Sequence, residues 1–155
     1  MKFPTAIVVL VLGSLEIGAT TYVVDDDYTG APASACEQPA GASYDSDLSS
    51  ALSTAAGDSS TPHTIRICAG TYNEASTLAI SDADFDNLSI EGALVGGAVN
   101  TDIDVMGGTA DIFDVRRDNV TIRDIEITDG RFAIETNAAG TDLSVIGVVI
   151  NDTSN

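Results

Sequence analysis

Tryptophan is absent from this chain, and lysine and histidine occur once each, as Lys2 and His63. The five arginines bring the basic total to 6, against 24 acidic residues, for a formal net charge of −18. So negative a chain repels nucleic acid and anionic membrane surfaces, and both are excluded as partners. One histidine, standing in the segment "SSTPHT", leaves a cysteine thiol or a metal without an evident imidazole partner. Aromatic residues make up 5 % of the chain, with tyrosine at 22, 28, 44 and 72, so no aromatic platform for sugar stacking is evident. The longest apolar run, from Phe3 to Leu15, falls short of the roughly 20 residues that a spanning helix needs.

That run instead has the layout of a secretory signal. Lys2 precedes it, Glu16 and small residues follow it, and Ala19 with Ile17 two positions earlier offers a cleavage site. The expectation is a signal peptide over 1–19 and one domain over 20–155, secreted or at the cell surface, with no membrane segment after cleavage. An exported chain with two cysteines, Cys36 and Cys68, is most simply one with a single disulfide. In the chain-entropy picture such a closure stabilises a small domain by roughly 3–4 kcal/mol.

What the chain has in quantity is aspartate and a repeat. Aspartate supplies 18 of the acids, which fits a salty habitat, divalent-ion binding or a soluble secreted surface. "NVTIRDIEITD" from Asn119 matches "DLSVIGVVIND" from Asp142 at a shift of 23 residues, placing Val120 on Leu143, Ile122 on Val145, Ile125 on Val148 and Ile127 on Ile150. The same shift carries Ile65 to Leu88 and Ile67 to Ile90. The spacing from Leu88 to Val120 is 32, and the additional residues within "GALVGGAVNTDIDVMGGTA" read as a loop extension. Each copy alternates apolar and polar residues with the period of a strand, and the short pieces "TLAI", "IFDV" and "FAIE" precede successive copies. Units of about two dozen residues with several strands and no helix cannot make βαβ crossovers, but they can coil and stack as an all-β solenoid.

The one helical pattern is "YDSDLSSALSTAAG". Asp45 or Ser46 serves as N-cap, Leu48, Ala51, Leu52 and Ala55 form one face, and Gly57 ends it. A helix there is placed to cap the first coil, giving an N-terminal cap over 20–63 and coils over 64–155.

The order of "TYVVDDD", a cysteine, "SDLSSALSTAA", "TIRICAGTYNE" and "DNVTIRDIEITDG" resembles the N-terminal part of proteins of the pectin lyase-like superfamily, over roughly residues 21–152. The resemblance implies a right-handed, single-stranded parallel β-helix of three to four coils with a short capping α-helix. That superfamily includes pectate and pectin lyases, polygalacturonases, pectin methylesterases and noncatalytic surface proteins and adhesins. "GTYNE" fits the G-x-Y-x-E signature of the methylesterases at Gly70, Tyr72 and Glu74, but their other catalytic motifs are missing. No polygalacturonase-like N-T-D, D-D or G-H-G pattern occurs, and the lyases' arginine base beside acidic calcium ligands has no clear counterpart. The chain therefore carries no visible catalytic site, and the expected role is interaction with extracellular polysaccharide or a cell-surface glycan. Two alternatives stand beside it: catalytic coils of a carbohydrate-active lyase or hydrolase beyond residue 155, and an end-to-end self-associating structural or adhesin subunit.

Candidate site residues follow from chemistry. Asp82, Asp84 and Asp86 alternate in "SDADFDNLS", and three carboxylates on one side of a strand or turn suit calcium. A solvated turn is the simpler state, since the run lacks the glycine and the bidentate acid of an EF-hand loop. Arg116, Arg117 and Arg123, with Arg131, form the only basic cluster, suited to uronic-acid sugars or to pairing with Asp114, Asp118 or Asp124. Asp25 to Asp27 and Asp102 with Asp104 read as solvated surface acids, and Asp124 with Glu126, close enough on the outward side for a glycosidase-like pair, are left unassigned because alternation alone produces such pairs. Asn87, Asn119 and Asn151 stand in glycosylation sequons, and asparagine also favours the turns that open these repeats.

Overall fold

A computed structural model of the chain describes residues 20–26, 42–59, 62–105, 111–129, 131–136 and 142–151. The expected signal segment and Cys36 lie outside the described residues. In chain order the elements are β1 (Thr20–Val24), β2 (Ser43–Asp45), α1 (Leu48–Ala56), β3 (His63–Ile67), β4 (Gly70–Glu74) and β5 (Leu78–Ile80). A 3-10 turn over Ala83–Phe85 follows, then β6 (Ser89–Glu91), β7 (Leu94–Val95), β8 (Ala98–Val99), β9 (Thr101–Val105) and β10 (Phe113–Val115). β11 (Val120–Arg123), β12 (Glu126–Thr128), β13 (Ile134–Thr136), β14 (Leu143–Ile146) and β15 (Val149–Asn151) complete the described chain.

The described residues form a mostly β fold with parallel sheets. The first sheet runs β14-β11-β6-β3-β1-β2, the second β15-β12-β9-β4 and the third β13-β10-β5. From β3 onward the chain visits first, second and third sheet in rotation, and only the hairpin β7-β8 interrupts the cycle. That hairpin is antiparallel, and Gly96 and Gly97 turn it with φ of +61° and +85°. Two positive φ values in a two-residue loop match the twist of the paired strands and favour glycine.

Alternation along each strand sends one set of side chains inward, and the parallel register stacks like on like. Ile65 pairs with Ile90, Ile90 with Ile122 and Ile122 with Val145 in the first sheet. Tyr72, Ile103, Ile127 and Ile150 make the equivalent row in the second. Leu78, Phe113 and Ile134 do so in the third. The side chains of Ile65, Ile90, Ile103, Phe113 and Ile122 are fully buried. Each such burial is worth about 1.5–3 kcal/mol, and together they hold the sheets around one core.

The 23-residue shift holds for β11 with β14 and β12 with β15. It fails earlier, because Ile65 pairs with Ile90, 25 residues on, and not with Leu88. The turn over Ala83–Phe85 lengthens that passage by two residues. A two-residue slip keeps every side chain on its own face, so alternation alone cannot detect it. Within the stretch that reads as carrying a loop extension, the hairpin β7-β8 stands outside the three sheets, and "TDIDV" forms β9, an inner strand of the second sheet between β4 and β12. A second correction concerns Asp25, which is buried and not a surface acid, its N–H donating to the Asp45 carbonyl at 3.0 Å.

Helix α1 lies against the core with Leu48, Ala51, Leu52 and Ala55 buried, as its pattern predicts. Its N-cap is Asp47, not Asp45 or Ser46. Asp45 is committed to β2, where it pairs with Val24, and burial followed by the charge of Asp47 raises its carboxyl. Burial alone would raise Asp47 too, but the Ser50 N–H at 2.7 Å and the hydroxyls of Ser49 and Ser50 outweigh it and hold this carboxyl low. Gly57 ends the helix with its N–H directed to the Ala55 and Thr54 carbonyls and an ordinary right-handed φ of −88°. No described helix is long and apolar enough to cross a membrane.

The "GTYNE" motif is structural in this chain. A side chain on Gly70 would collide with the Asp26 carboxylate, whose nearer oxygen lies 2.7 Å from where a Cβ would stand. The Tyr72 hydroxyl lies 3.2 Å from both the Val24 and Cys68 carbonyl oxygens. Buried Glu74 accepts the Leu48 N–H at 3.2 Å and the Ser49 N–H, so β4 ties down the start of α1.

Burial raises the Glu74 carboxyl above its usual 4.5, the charge of Asp47 adding to the effect while the two N–H bonds oppose it. A raised folded-state value means that the protonated form favours folding. That contribution is full below the unfolded value and is lost as pH climbs through the folded one. Glu74→Gln keeps the acceptor oxygen and cannot ionise, so it is expected to be at least as stable as the parent at pH 7. Its advantage should vanish on acidification toward pH 4.5. Glu74→Ala strands two N–H groups and should cost about 1–3 kcal/mol. Urea unfolding across this pH range reads both, and a Gln variant much weaker than the parent at pH 7 would contradict this role.

Candidate functional site

The sequence candidates scatter. Asp82 and Asp86 are the caps of the Ala83–Phe85 turn: the Asp82 carboxylate accepts the Asp84 N–H at 3.1 Å, and Asp86 accepts the Asp118 N–H at 3.4 Å. Their oxygens face backbone amides and do not converge. Among the described residues no group of three or more His, Cys, Asp or Glu is arranged to hold a metal ion. Asp82 acts here as an Asx cap, which fits the solvated-turn alternative of the sequence reading.

Arg116, Arg117 and Arg123 do not form one cluster either. Arg116 follows β10 on the third sheet and forks onto Asp114, with Nη2 to Oδ2 at 2.5 Å. Arg117, in the turn that follows, donates through Nε to the Ser81 carbonyl at 2.8 Å. Arg123 ends β11 in the first sheet and pairs with Asp124 at 2.8 Å. The turn between β10 and β11 carries the chain from one sheet to the next, so residues seven positions apart look out from different sides. Pairing of arginine with Asp114 and Asp124 is what the sequence suggests as the simpler fate.

Around the third sheet the structure assembles a group that the sequence does not reveal. Arg131, at the corner leading into β13, forks onto Asp111 at the corner leading into β10, with Nε to Oδ1 at 3.0 Å and Nη2 to Oδ2 at 2.7 Å. The Arg131 guanidinium also lies 5.3 Å from the ring centre of Phe132, which stays 54 % exposed. On the adjoining outer face Asp114 of β10 stands opposite Glu135 of β13. Glu135 adds its negative charge near both Arg116 and Arg131. Asp111 and Asp114 are themselves mostly buried.

The group holds one more carboxylate than guanidinium. The Arg131 fork, foremost, holds the Asp111 carboxyl below the usual carboxylate range against the opposing effect of burial, with help from the Phe132 N–H. Three carboxylates and two guanidinium groups on a mostly parallel-stranded base give fixed acceptors and donors around a partly exposed ring. Such an arrangement can take hydrogen bonds from hydroxyl groups and lay an apolar ring face against Phe132. The strongest cue in the sequence is the outward middle position of Asp114 and Glu135 in "IFDV" and "FAIE". Nothing local points to Asp111 and Arg131, 20 residues apart.

Other places offer less chemistry. A cavity of about 320 Å³ between α1 and β5 is lined by Leu52, Leu78 and Phe85 on one side and by Ser49, Ser53 and Asp82 among its polar groups. Asp102 and Glu126, neighbours on the second sheet, accept from Thr128 and Asn151 respectively. Asn87 and Asn119 hold left-handed φ of 67° and 57° at the turns before β6 and β11, the role that asparagine suits. Compared with known proteins, the chain matches no protein-family model, no curated protein and no solved structure.

Proposed function

We propose that the chain is a right-handed, single-stranded parallel β-helix, exported from the cell, that binds a neutral extracellular polysaccharide or cell-surface glycan at the Asp111–Arg131–Phe132 corner. The rotation of the chain through three parallel sheets supports the coiled fold, and parallel crossovers are right-handed in nearly all proteins. The observation that carries the function is the exposed Phe132 ring set beside the forked pair of Asp111 and Arg131.

The charge count argues for a neutral ligand. Both guanidinium groups already face aspartates, so the corner has no spare positive charge for a uronic acid. Its carboxylates have lone pairs for sugar hydroxyls, and the ring has an apolar face for the C–H side of a pyranose. Binding is favoured over hydrolysis because the Asp111 and Asp114 carboxylates are each already engaged by an arginine fork, where an acid–nucleophile pair needs its oxygens turned to a scissile bond.

The test is titration of the protein with soluble galactan, mannan and glucan, and with polygalacturonate for comparison. At least one neutral polymer is expected to bind, and Phe132→Ala or Arg131→Ala should each weaken it about tenfold. Binding confined to polygalacturonate, or unaffected by either substitution, contradicts the reading.

The disulfide belongs to the same reading of an exported chain. Cys68 is buried beside Val23, Ala42 and Tyr44, where a bridge from Cys36 would fasten the segment leading into the cap to β3. The unreduced protein is expected to show no titratable thiol after denaturation. Two thiols would remove the bridge from the account.

A further inference from the structure

The third sheet stops at β5, which pairs with β10 on one side and faces α1 on the other. The Leu78 N–H donates to the Ile112 carbonyl at 2.8 Å, and the Ile80 carbonyl accepts the Arg116 N–H at 3.0 Å, so both residues turn their backbone toward β10. Backbone groups alternate in direction along a strand, so Ala79 between them turns its N–H and carbonyl to the free edge. Among the described residues neither group finds a partner there, whereas the nearby Ser81 carbonyl is taken by Nε of Arg117 at 2.8 Å.

That edge borders the cavity of about 320 Å³ under α1, which Ala79 helps to line. Leu52, Leu78 and Phe85 give the cavity an apolar wall, and Ser49, Ser53 and Asp82 stand around it with two hydroxyls and a carboxylate. The Asp84 N–H engages only Oδ1 of Asp82, which leaves Oδ2 to accept from a ligand.

The occupant follows from size and from these groups. The volume lies at the low end of the roughly 300–1,000 Å³ of small-molecule sites, and one free strand residue is too short an edge to hold a peptide. The Ala79 N–H asks for a strong acceptor, and the apolar wall beside it asks for a methyl group. An acetamido group has both, two bonds apart, and a sugar ring adds hydroxyls for the Ala79 carbonyl, Ser49, Ser53 and Asp82. A plain hexose lacks the methyl group, and an acidic sugar would meet Asp82 as a like charge.

We propose that this cavity binds an N-acetylated amino sugar. Its acetamido oxygen accepts the Ala79 N–H, a ring hydroxyl donates to the Ala79 carbonyl, and the acetyl methyl lies on Leu52, Leu78 and Phe85. The site goes beyond the Phe132 corner, since β5 and β13 are opposite edges of the third sheet.

The test is titration of the nitrogen-15-labelled full chain with N-acetylglucosamine, and with glucose for comparison, followed through its amide resonances. The Ala79 amide is expected to shift with a dissociation constant of about 1 mM, and glucose should bind about tenfold more weakly. Amides around Phe132 should not move; polysaccharide binding at that corner has its own titration, so either site can fail alone. Ser53→Phe, at an exposed position of α1, fills the cavity and should weaken binding about tenfold. Ala79→Pro removes the N–H at a strand edge, where proline is tolerated, and should do the same. Far-UV circular dichroism verifies that each variant folds. No shift up to about 20 mM sugar, glucose bound as tightly, shifts confined to residues around Phe132, or binding that survives both substitutions would each overturn the proposal.

Discussion

Phe113→Ala is expected to destabilise the chain by about 3–5 kcal/mol, a large fraction of the stability of a domain this size. Phe113 lies in the middle strand of the third sheet, between Leu78 of β5 and Ile134 of β13, and is fully buried. It is the largest of the fully buried side chains. Removing the ring leaves a cavity that neighbours pinned by parallel pairing on both sides are poorly placed to fill. Phe113→Leu, which keeps most of the volume, should cost less than half as much. Phe132→Ala, at an exposed ring, should stay within about 0.5 kcal/mol. Chemical denaturation of the three variants gives the order, and a Phe113→Ala loss no larger than that of Phe132→Ala would contradict the packing.

Gly92→Ala is expected to be nearly as damaging, at about 3 kcal/mol, through overpacking and not cavity formation. Gly92 follows β6 at the corner between the first and second sheets. Its N–H donates to the Arg123 carbonyl at 2.9 Å, and a methyl group built on it would lie 2.0 Å from the Asp124 carbonyl oxygen. Backbone, unlike the end of a side chain, cannot swing aside. Asp124 is itself fixed by a left-handed φ of 57°, by its N–H bond to the Ile146 carbonyl and by its pair with Arg123. Gly57→Ala is the control, because its methyl group would meet nothing nearer than the Thr54 oxygen at 3.5 Å and its φ suits any residue. Near-equal melting temperatures for the two variants would show that the corners are not stacked backbone to backbone.

The sequence carries some levels of this structure and hides others. The buried face of α1 is legible because four apolar side chains recur at helical spacing. Its cap is not, since Asp45, Ser46 and Asp47 all have capping chemistry and the choice rests on β2 and on Glu74, 26 residues downstream of Leu48. Inward residues of β11, β12, β14 and β15 follow from alternation, whereas the register from β3 to β6 is hidden by the parity of a two-residue slip. "TDIDV" alternates as a strand should, but the Gly-rich residues around it do not say which part of that stretch is the extension. The corner around Arg131 is the least legible. Its fork to Asp111 and its approach to Phe132 exist only once β10 and β13 are laid side by side.

The stacking of strands distant in sequence is the claim on which the site and the helix packing both depend. Cross-strand proton contacts measured by nuclear Overhauser spectroscopy on a labelled chain test it most directly. The account predicts contacts linking Ile65 to Ile90, Ile90 to Ile122 and Ile122 to Val145, in the pattern of parallel strands. Contacts that instead join Ile65 to Leu88, or an antiparallel pattern between β6 and β11, would contradict it.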